Sequence, residues 1–527
     1  MENVTKPWPA LWSLVVGFFM ILIDTTIVSV ANPRIMEGLN TDINAVIWVT
    51  SAYLLAYAVP LLITGRLGDR FGPKNLYLTG LVVFTLASLW CGLSGDVTML
   101  IAARAVQGLG AAMMTPQTMA VITRIFPPDR RGAAMGLWGA TAGMAILVGP
   151  ILGGVLVDGL GWEWIFFVNV PIGIAAFLLV MRFVPTLTTH SHTFDVLGVV
   201  LSAVGMFLLV FGIQEGQTYK WGTVAGPVTV WGLIIAGIVV LAAFVAWQWL
   251  LERRGGEPLL PLGLFKDRNF SLGNSTIMAV GFTITAFPLP TIFYYQVVRG
   301  LTPTQSALLM IPMAVLSGAL APFVGKLIDR VNPRWFAAFG LVCLSGALFW
   351  TASLLGPDTP IWMFLLPSAL QGVANGFIWG PVSNATTRNL PPRQAGAGSG
   401  VFNTTRQIGA VLGSAAIAAL IQSRLAAELP VAPAGAPGGE ASMTGVLPEA
   451  LHAGFSTAMS QSILLPACAI LLGAVIALFF GKPKVVEGWG AKAVTAADGA
   501  SKAADGQQIA PQETASQENA SQEAGRQ

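Results

Sequence analysis

The chain has 527 residues, 54% of them hydrophobic and only 10% charged, with a mean hydropathy of +0.70 and a formal net charge of +3. That composition excludes a soluble globular protein and leaves a polytopic, all-α membrane protein. The three cysteines sit in separate apolar runs, the three histidines lie in loops, and no GxxxxGK(S/T) phosphate loop occurs, so no metal, cofactor, catalytic cluster or ATP-driven chemistry is expected and the chain does not read as an enzyme.

Fourteen apolar stretches are each long enough to cross a hydrocarbon core of about 30 Å. They lie near 11–32, 46–65, 75–94, 98–122, 133–157, 163–183, 195–214, 226–249, 270–296, 304–325, 335–355, 361–384, 396–421 and 456–480. An even count puts both termini on one side. That side gathers Arg66, Arg70, Lys74, Arg124, Arg130, Arg131, Arg182, Arg253, Arg254, Lys326, Arg334 and Arg388, whereas the other holds only Arg34, Lys220, Arg299 and Arg424. The positive-inside rule then places both termini in the cytoplasm. The first stretch keeps an acid and leads into further spans, so it reads as a membrane helix and not as a cleaved signal peptide. The expected setting is a cytoplasmic membrane, bacterial and inner.

In chain order, the first stretch contains LIDTTIVSVANP (22–33), with Asp24 inside the membrane. A charge there costs about 2.5 to 3.5 kcal/mol on insertion scales, which makes an intramembrane acid a functional candidate. A polar residue facing a water-filled crevice is the alternative. After the second stretch comes GRLGDRFGPK (65–74): Gly65 and Gly72 permit a tight turn, Asp69 can engage the amino terminus of a facing helix, and Arg70 and Lys74 can meet lipid phosphates. A plain basic turn is the other reading. The fifth stretch carries small residues at spacing four, Ala145, Gly149 and Gly153, with Pro150 adding a kink and Gly154 following, so a neighbouring helix can approach closely; generic packing would use the same residues. GWEWIFFVNVP (161–171) reads as an aromatic belt, with Trp162 and Trp164 at the headgroups.

Aromatics and polar side chains that can line a site for amphipathic compounds are Trp48, Tyr53, Tyr57, Gln107, Trp138, Tyr294, Asn375, Trp379, Asn403, Arg406 and Gln407. For each, a core or lipid-facing place is the competing reading. Residues 422–455 form the longest outer loop, and the chain from Lys482 onward has too little apolar surface to order itself.

Self-comparison divides the chain. GRLGDRFGPK at 65–74 matches GKLIDRVNPR at 325–334, so Asp329 and Arg330 duplicate Asp69 and Arg70. At one fixed offset Ala105, Gln107 and Gly108 recur as Ala369, Gln371 and Gly372, and Gly132, Gly136 and Gly149 recur as Gly396, Gly400 and Gly413. Spans 1 to 6 therefore pair with spans 9 to 14, and spans 7 and 8 are an insertion. The expected domains are 1–184, 185–269, 270–481 and the tail 482–527. Repeated halves place a substrate site between them at the membrane midplane. Three deep charges break the repeat: Asp24, Arg104 and Arg406. At about 1.5 Å per residue, Asp24 and Arg104 both lie about 10 to 14 Å below the outer face, so they can form an ion pair.

On these strings the chain resembles the major facilitator superfamily, and within it the fourteen-helix drug:proton antiporters of the EmrB/QacA type. GRLGDRFGPK is similar to the superfamily's loop motif, RAVQGLGAA (104–112) to its helix 4 motif, GPILGG (149–154) to the antiporter motif of helix 5, and LIDTTIVSVANP to the helix 1 signature. Pro73, Ser29, Asn32 and Ala145 depart from those patterns. The resemblance implies a major facilitator fold with fourteen helices as six, two and six. It also implies proton-driven export of amphipathic compounds by alternating access, with Asp24 and Arg104 coupling the proton. Export of an endogenous lipid, siderophore or metabolite is the alternative, and GPILGG speaks against an importing symporter. The expected partners are small amphipathic substrates, protons and the lipid bilayer, with no nucleic acid; the expected state is a monomer, with a periplasmic membrane-fusion partner left open. With Arg104 and Arg406 against Asp24 alone, neutral, zwitterionic or anionic amphiphiles are expected to be better substrates than divalent cations.

Overall fold

The computed structural model describes residues 7–41, 43–127, 130–187, 189, 195–216, 218–328, 332–390, 394–429 and 447–481. The tail from 482, most of the outer loop (430–446), and Asp329 and Arg330 lie outside the described residues. Inner and outer are used below in the sense set by the basic residues.

The described chain is almost entirely helical. Its elements are α1 (Pro7–Gly38), α2 (Ile43–Ala58, continuing as Leu61–Phe71), α3 (Pro73–Gly92), α4 (Val97–Ile125), α5 (Arg131–Gly159), α6 (Trp164–Phe183), α7 (Val196–Gln214), α8 (Val230–Arg253), α9 (Arg268–Val298), α10 (Gln305–Ile328), α11 (Pro333–Leu354), α12 (Ile361–Thr387), α13 (Ala395–Glu428) and α14 (Glu449–Ala477). Twelve helices among the described residues are long and apolar enough to cross a membrane, or thirteen with α2 taken as one bent span. The bend of 46° in α2 falls at Pro60, whose ring denies the ladder an amide.

Helix starts are written in side chains that accept from otherwise unpaired amides: Asp96 from Met99 N at 2.8 Å, Asp195 from Gly198 N at 2.8 Å, and Asp267 from Phe270 N at 2.9 Å. The turn after α2 needs Gly72, at φ +90°, a region costly for residues with a Cβ. An unanticipated element is a two-stranded antiparallel hairpin, Thr223–Ala225 with Val228–Thr229, between α7 and α8.

The repeat explains how the halves meet. At the inner ends, a Cβ on Gly65 of α2 would lie 2.6 Å from the carbonyl oxygen of Gly396 and 2.9 Å from Gly400 Cα on α13. In the matching place, a Cβ on Gly325 of α10 would lie 2.8 Å from Gly132 O and 2.7 Å from Ala133 Cα on α5. The recurring glycines thus form two pseudo-symmetric backbone-to-backbone contacts that close the inner side.

The inserted pair is pinned as a unit. Asp195 accepts from Trp247 Nε1 (2.9 Å) and Gln248 Nε2 (2.7 Å), while Gln248 Oε1 accepts from Leu260 N (3.1 Å) in the following linker. Its α7 wedges into the seam between halves, packing Met206, Val210 and Ile213 with Leu55 of α2 and Val411 of α13.

Candidate functional site

Asp24 and Arg104 meet, as their equal depth allows. Arg104 Nη1 donates to Asp24 Oδ2 at 2.6 Å, and both residues are fully buried. The carboxylate also accepts at Oδ1 from Gln107 Nε2 and Asn169 Nδ2, each at 3.0 Å. Arg104 donates further to Gln107 Oε1 (2.6 Å) and Val49 O (3.3 Å), and its guanidinium lies 4.1 Å from the centre of the Tyr53 ring. Its Nη2 has no hydrogen-bond partner. Five helices of one half, α1, α2, α3, α4 and α6, build this centre, so it can change protonation without any contact across the seam.

The helix 5 motif supports the same place. A Cβ on Gly149 would meet Thr26 Oγ1 at 1.9 Å, which lets α5 lie directly on α1 two residues beyond Asp24. Ala145 is buried in that contact region, whereas Gly154 faces open space.

At the inner end, Asp69 is likewise fully buried and paired with an arginine of α4, Arg124. It also accepts from the first amides of α13 in the other half: Gly396 N at 3.0 Å and Ala397 N at 2.9 Å. The carboxylate sits at the positive end of that helix, the engagement expected from the loop string. Lys74 donates to Met181 O at 2.9 Å and so caps the end of α6, not only lipid phosphates as expected.

The expected cavity residues separate. Tyr53 and Tyr57 stack at 6.1 Å along α2, and Arg406 Nη2 reaches the Tyr57 hydroxyl across the seam at 3.4 Å. Trp138 meets Trp379 of the other half edge-on at 6.2 Å. Asn403 and Gln407 are buried beside Arg406 on α13, and the Asn375 side chain bonds back to Gln371 O of its own helix. Two placements correct the sequence reading. Gln107 belongs to the Asp24 centre, because an amide there supplies both a donor to Asp24 and an acceptor for Arg104. Tyr294 sits in a locally π-helical turn at the outer end of α9, bonding Gly356 O at 2.6 Å and packing on Phe364, away from the seam.

Three residues escape the sequence reading. Asn169 sits inside an apparent aromatic belt, where its signal is a lone amide among FFV and VP; Trp162 of that string is itself buried, against Gly38. Ser88 accepts from Gln107 Nε2 at 2.5 Å. Glu215, at the outer end of α7, is 1% exposed, so Asp24 is not the only acid removed from water. Burial pushes the Glu215 carboxyl up, with the nearby Thr218 and Ser51 hydroxyls only partly offsetting this. Two clefts, of about 220 Å³ beside Asp267 and Asn389 and about 250 Å³ between the outer flanks of α3 and α6, lie away from Asp24 and Arg104 and do not mark the site.

The family model described as Major Facilitator Superfamily matches residues 14–265 and 193–414. An uncharacterised MFS-type transporter of Mycobacterium tuberculosis is 54% identical over 90% of this chain and 81% of its own length. The tetracenomycin C resistance and export protein of Streptomyces glaucescens is 33% identical over 90% of this chain and 92% of its own. Among solved structures, the proton:xylose symporter XylE matches with a TM-score of 0.62 over 93% of this chain and 99% of its own at 15% identity, a likeness of fold. With its halves, inner seal and helix motifs in that arrangement, this multi-pass membrane protein is a transporter of the Major Facilitator Superfamily, in its drug:proton antiporter family.

Proposed function

We propose that the protein exports amphipathic compounds in exchange for protons, with Asp24 as the proton-coupling residue and Arg104 as its counter-charge. The observation that carries this is the fully buried Asp24–Arg104 pair at 2.6 Å, in a half-molecule where every other ligand of the carboxylate is a neutral amide. Protonating Asp24 leaves Arg104 buried without an anion. Removing one partner of a buried ion pair costs about 3 to 5 kcal/mol. Carrying a two-state protein from one conformer to the other needs about 5.5 kcal/mol of differential binding, so one proton at this site supplies most of the bias. Arg104 can relieve that cost only by shifting on α4, the helix that also carries Arg124 of the inner seal.

The resistance and export named for the Streptomyces relative supports the outward direction. The test is transport in proteoliposomes under an imposed pH gradient with a panel of dyes, antibiotics and lipids. Uphill movement of at least one compound that collapses when the gradient is dissipated is the expected result; transport indifferent to the gradient for every compound that moves would refute coupling.

A further inference from the structure

Arg406 is the one deep arginine that this scheme leaves without a task. Its helix, α13, lies tight against α9, where a Cβ on Gly281 would fall 2.2 Å from the Arg406 carbonyl oxygen. The backbone is therefore covered, and the side chain crosses to the other half. There Nη2 meets only the Tyr57 hydroxyl at 3.4 Å, beyond the usual range for such a bond. Its Nε is buried without a hydrogen-bond partner, and among the described residues no carboxylate pairs with Arg406. Asp24 is fully occupied by Arg104, Gln107 and Asn169. On the same turn of α13, Asn403 Oδ1 and Thr404 Oγ1 are also buried without partners. A cation in a membrane protein is normally matched by an acid or by carbonyls; here the match is missing at the seam between the halves.

Nε and Nη2 form one edge of the guanidinium, the edge that holds two oxygens of a carboxylate or phosphate side by side. We infer that Arg406 is an anion-binding anchor of the transport path, taking amphiphiles with a single carboxylate or phosphate headgroup, which displace the Tyr57 hydroxyl from Nη2. Displacement carries a signal toward the proton site: Tyr57 donates to Thr115 of α4 at 3.2 Å and stacks on Tyr53, whose ring bears the Arg104 guanidinium. This deepens the export reading by naming the class of cargo, and it rests on that reading for direction and proton coupling.

The test is binding without any gradient, so that its outcome is independent of coupling. The full-length protein in nanodiscs is titrated with dansyl-aminoundecanoic acid, its methyl ester and the corresponding amine, which share one chain and differ in headgroup charge. The acid is expected to bind about tenfold tighter than the ester, with the amine weakest. Arg406→Ala should remove that preference, so that the acid and the ester bind alike in the variant, and its elution as a monodisperse species shows that it is folded. Arg406→Lys, a point charge without the fork, should keep part of the preference, and Tyr57→Phe should bind the acid as tightly as the unaltered protein or tighter. Dodecyl phosphate should displace the acid where inorganic phosphate does not. Equal affinity for the three probes, or full preference for the acid in Arg406→Ala, would overturn the assignment. Displacement by inorganic phosphate as effective as by dodecyl phosphate would overturn the amphiphilic part of it. If binding follows this pattern but the gradient test fails, the anchor stands and the coupling falls.

Discussion

Asp24 and Asp69 are both fully buried carboxylates, and each is paired with an arginine of α4. Arg104 and Arg124 are separated by about 30 Å along that helix at 1.5 Å per residue. The difference lies in the remaining partners. Asp24 is completed by Gln107 and Asn169 of its own half, so it can gain or lose a proton while the halves stay where they are. Asp69 is completed by the first amides of α13, so its bonds must break whenever the inner ends part. One pair is suited to hold a chemical change, the other a conformational one, and α4 is the element common to both.

The largest effects should come from breaking the inner pair. Asp69→Ala removes the cap from α13 and leaves Arg124 without its carboxylate, which destabilises the sealed state by about 3 to 5 kcal/mol. Spin labels on the inner ends of α2 and α13 should then report a dominant separated population, against a closed one in the unaltered protein, and transport should fall to near background. Gly65→Ala acts on the same seal through sterics. Its methyl would lie 2.6 Å from Gly396 O, backbone that cannot give way locally, and a cost of about 1 to 3 kcal/mol for overpacking should lower transport about tenfold or more. The same labels should show partial opening, and unaltered distances would mean that the glycine contact is not what closes the inner side.

Asn169→Ala tests the outer pair more gently. Asp24 loses one of its amide donors, worth about 1 to 3 kcal/mol in a buried site. With one donor fewer the carboxylate is held less firmly against Arg104, so gradient-driven transport should fall about tenfold while the protein stays in the membrane. Transport at the unaltered rate would remove Asn169 from the coupling centre.

The sequence makes the pairings legible to different degrees, for reasons of geometry. Depth along a span follows from counting residues, so the level match between Asp24 and Arg104 is visible in the chain. Azimuth does not follow, and that is why Gln107 reads as a cavity residue and Asn169 as part of a headgroup belt. The repeat exposes the inner seal because Gly65, Gly132, Gly325 and Gly396 recur, yet only the fold shows that they pack against one another across the halves. Glu215 stands just past the end of its apolar stretch, where an acid normally meets water; the wedge of α7 against α2 is what buries it. The hairpin at 223–229, with strands of three and two residues, is too short to carry an alternating pattern.

Glu215 offers the smallest effect and a contrast to both pairs, since among the described residues no arginine pairs with this buried acid. Its carboxyl is raised by burial, so the contact it makes is most stable while protonated. That stability is complete at low pH and is lost as pH rises through the raised value. Hydrogen exchange at the outer end of α7 should accordingly quicken with rising pH more than the intrinsic rate requires. In Glu215→Gln this extra pH dependence should vanish; its persistence would place the titrating group elsewhere.

If the proton acts at Asp24, the rest of the cycle can run without it. Asp24→Asn keeps the side chain's shape and can still bond to Gln107 and Arg104, but it cannot exchange a proton. In proteoliposomes, with a compound that the unaltered protein moves uphill, this variant should lose all gradient-driven accumulation while still exchanging labelled for unlabelled compound across the membrane. Uphill transport at the normal rate and with the normal pH dependence in Asp24→Asn would place the proton-coupling group elsewhere.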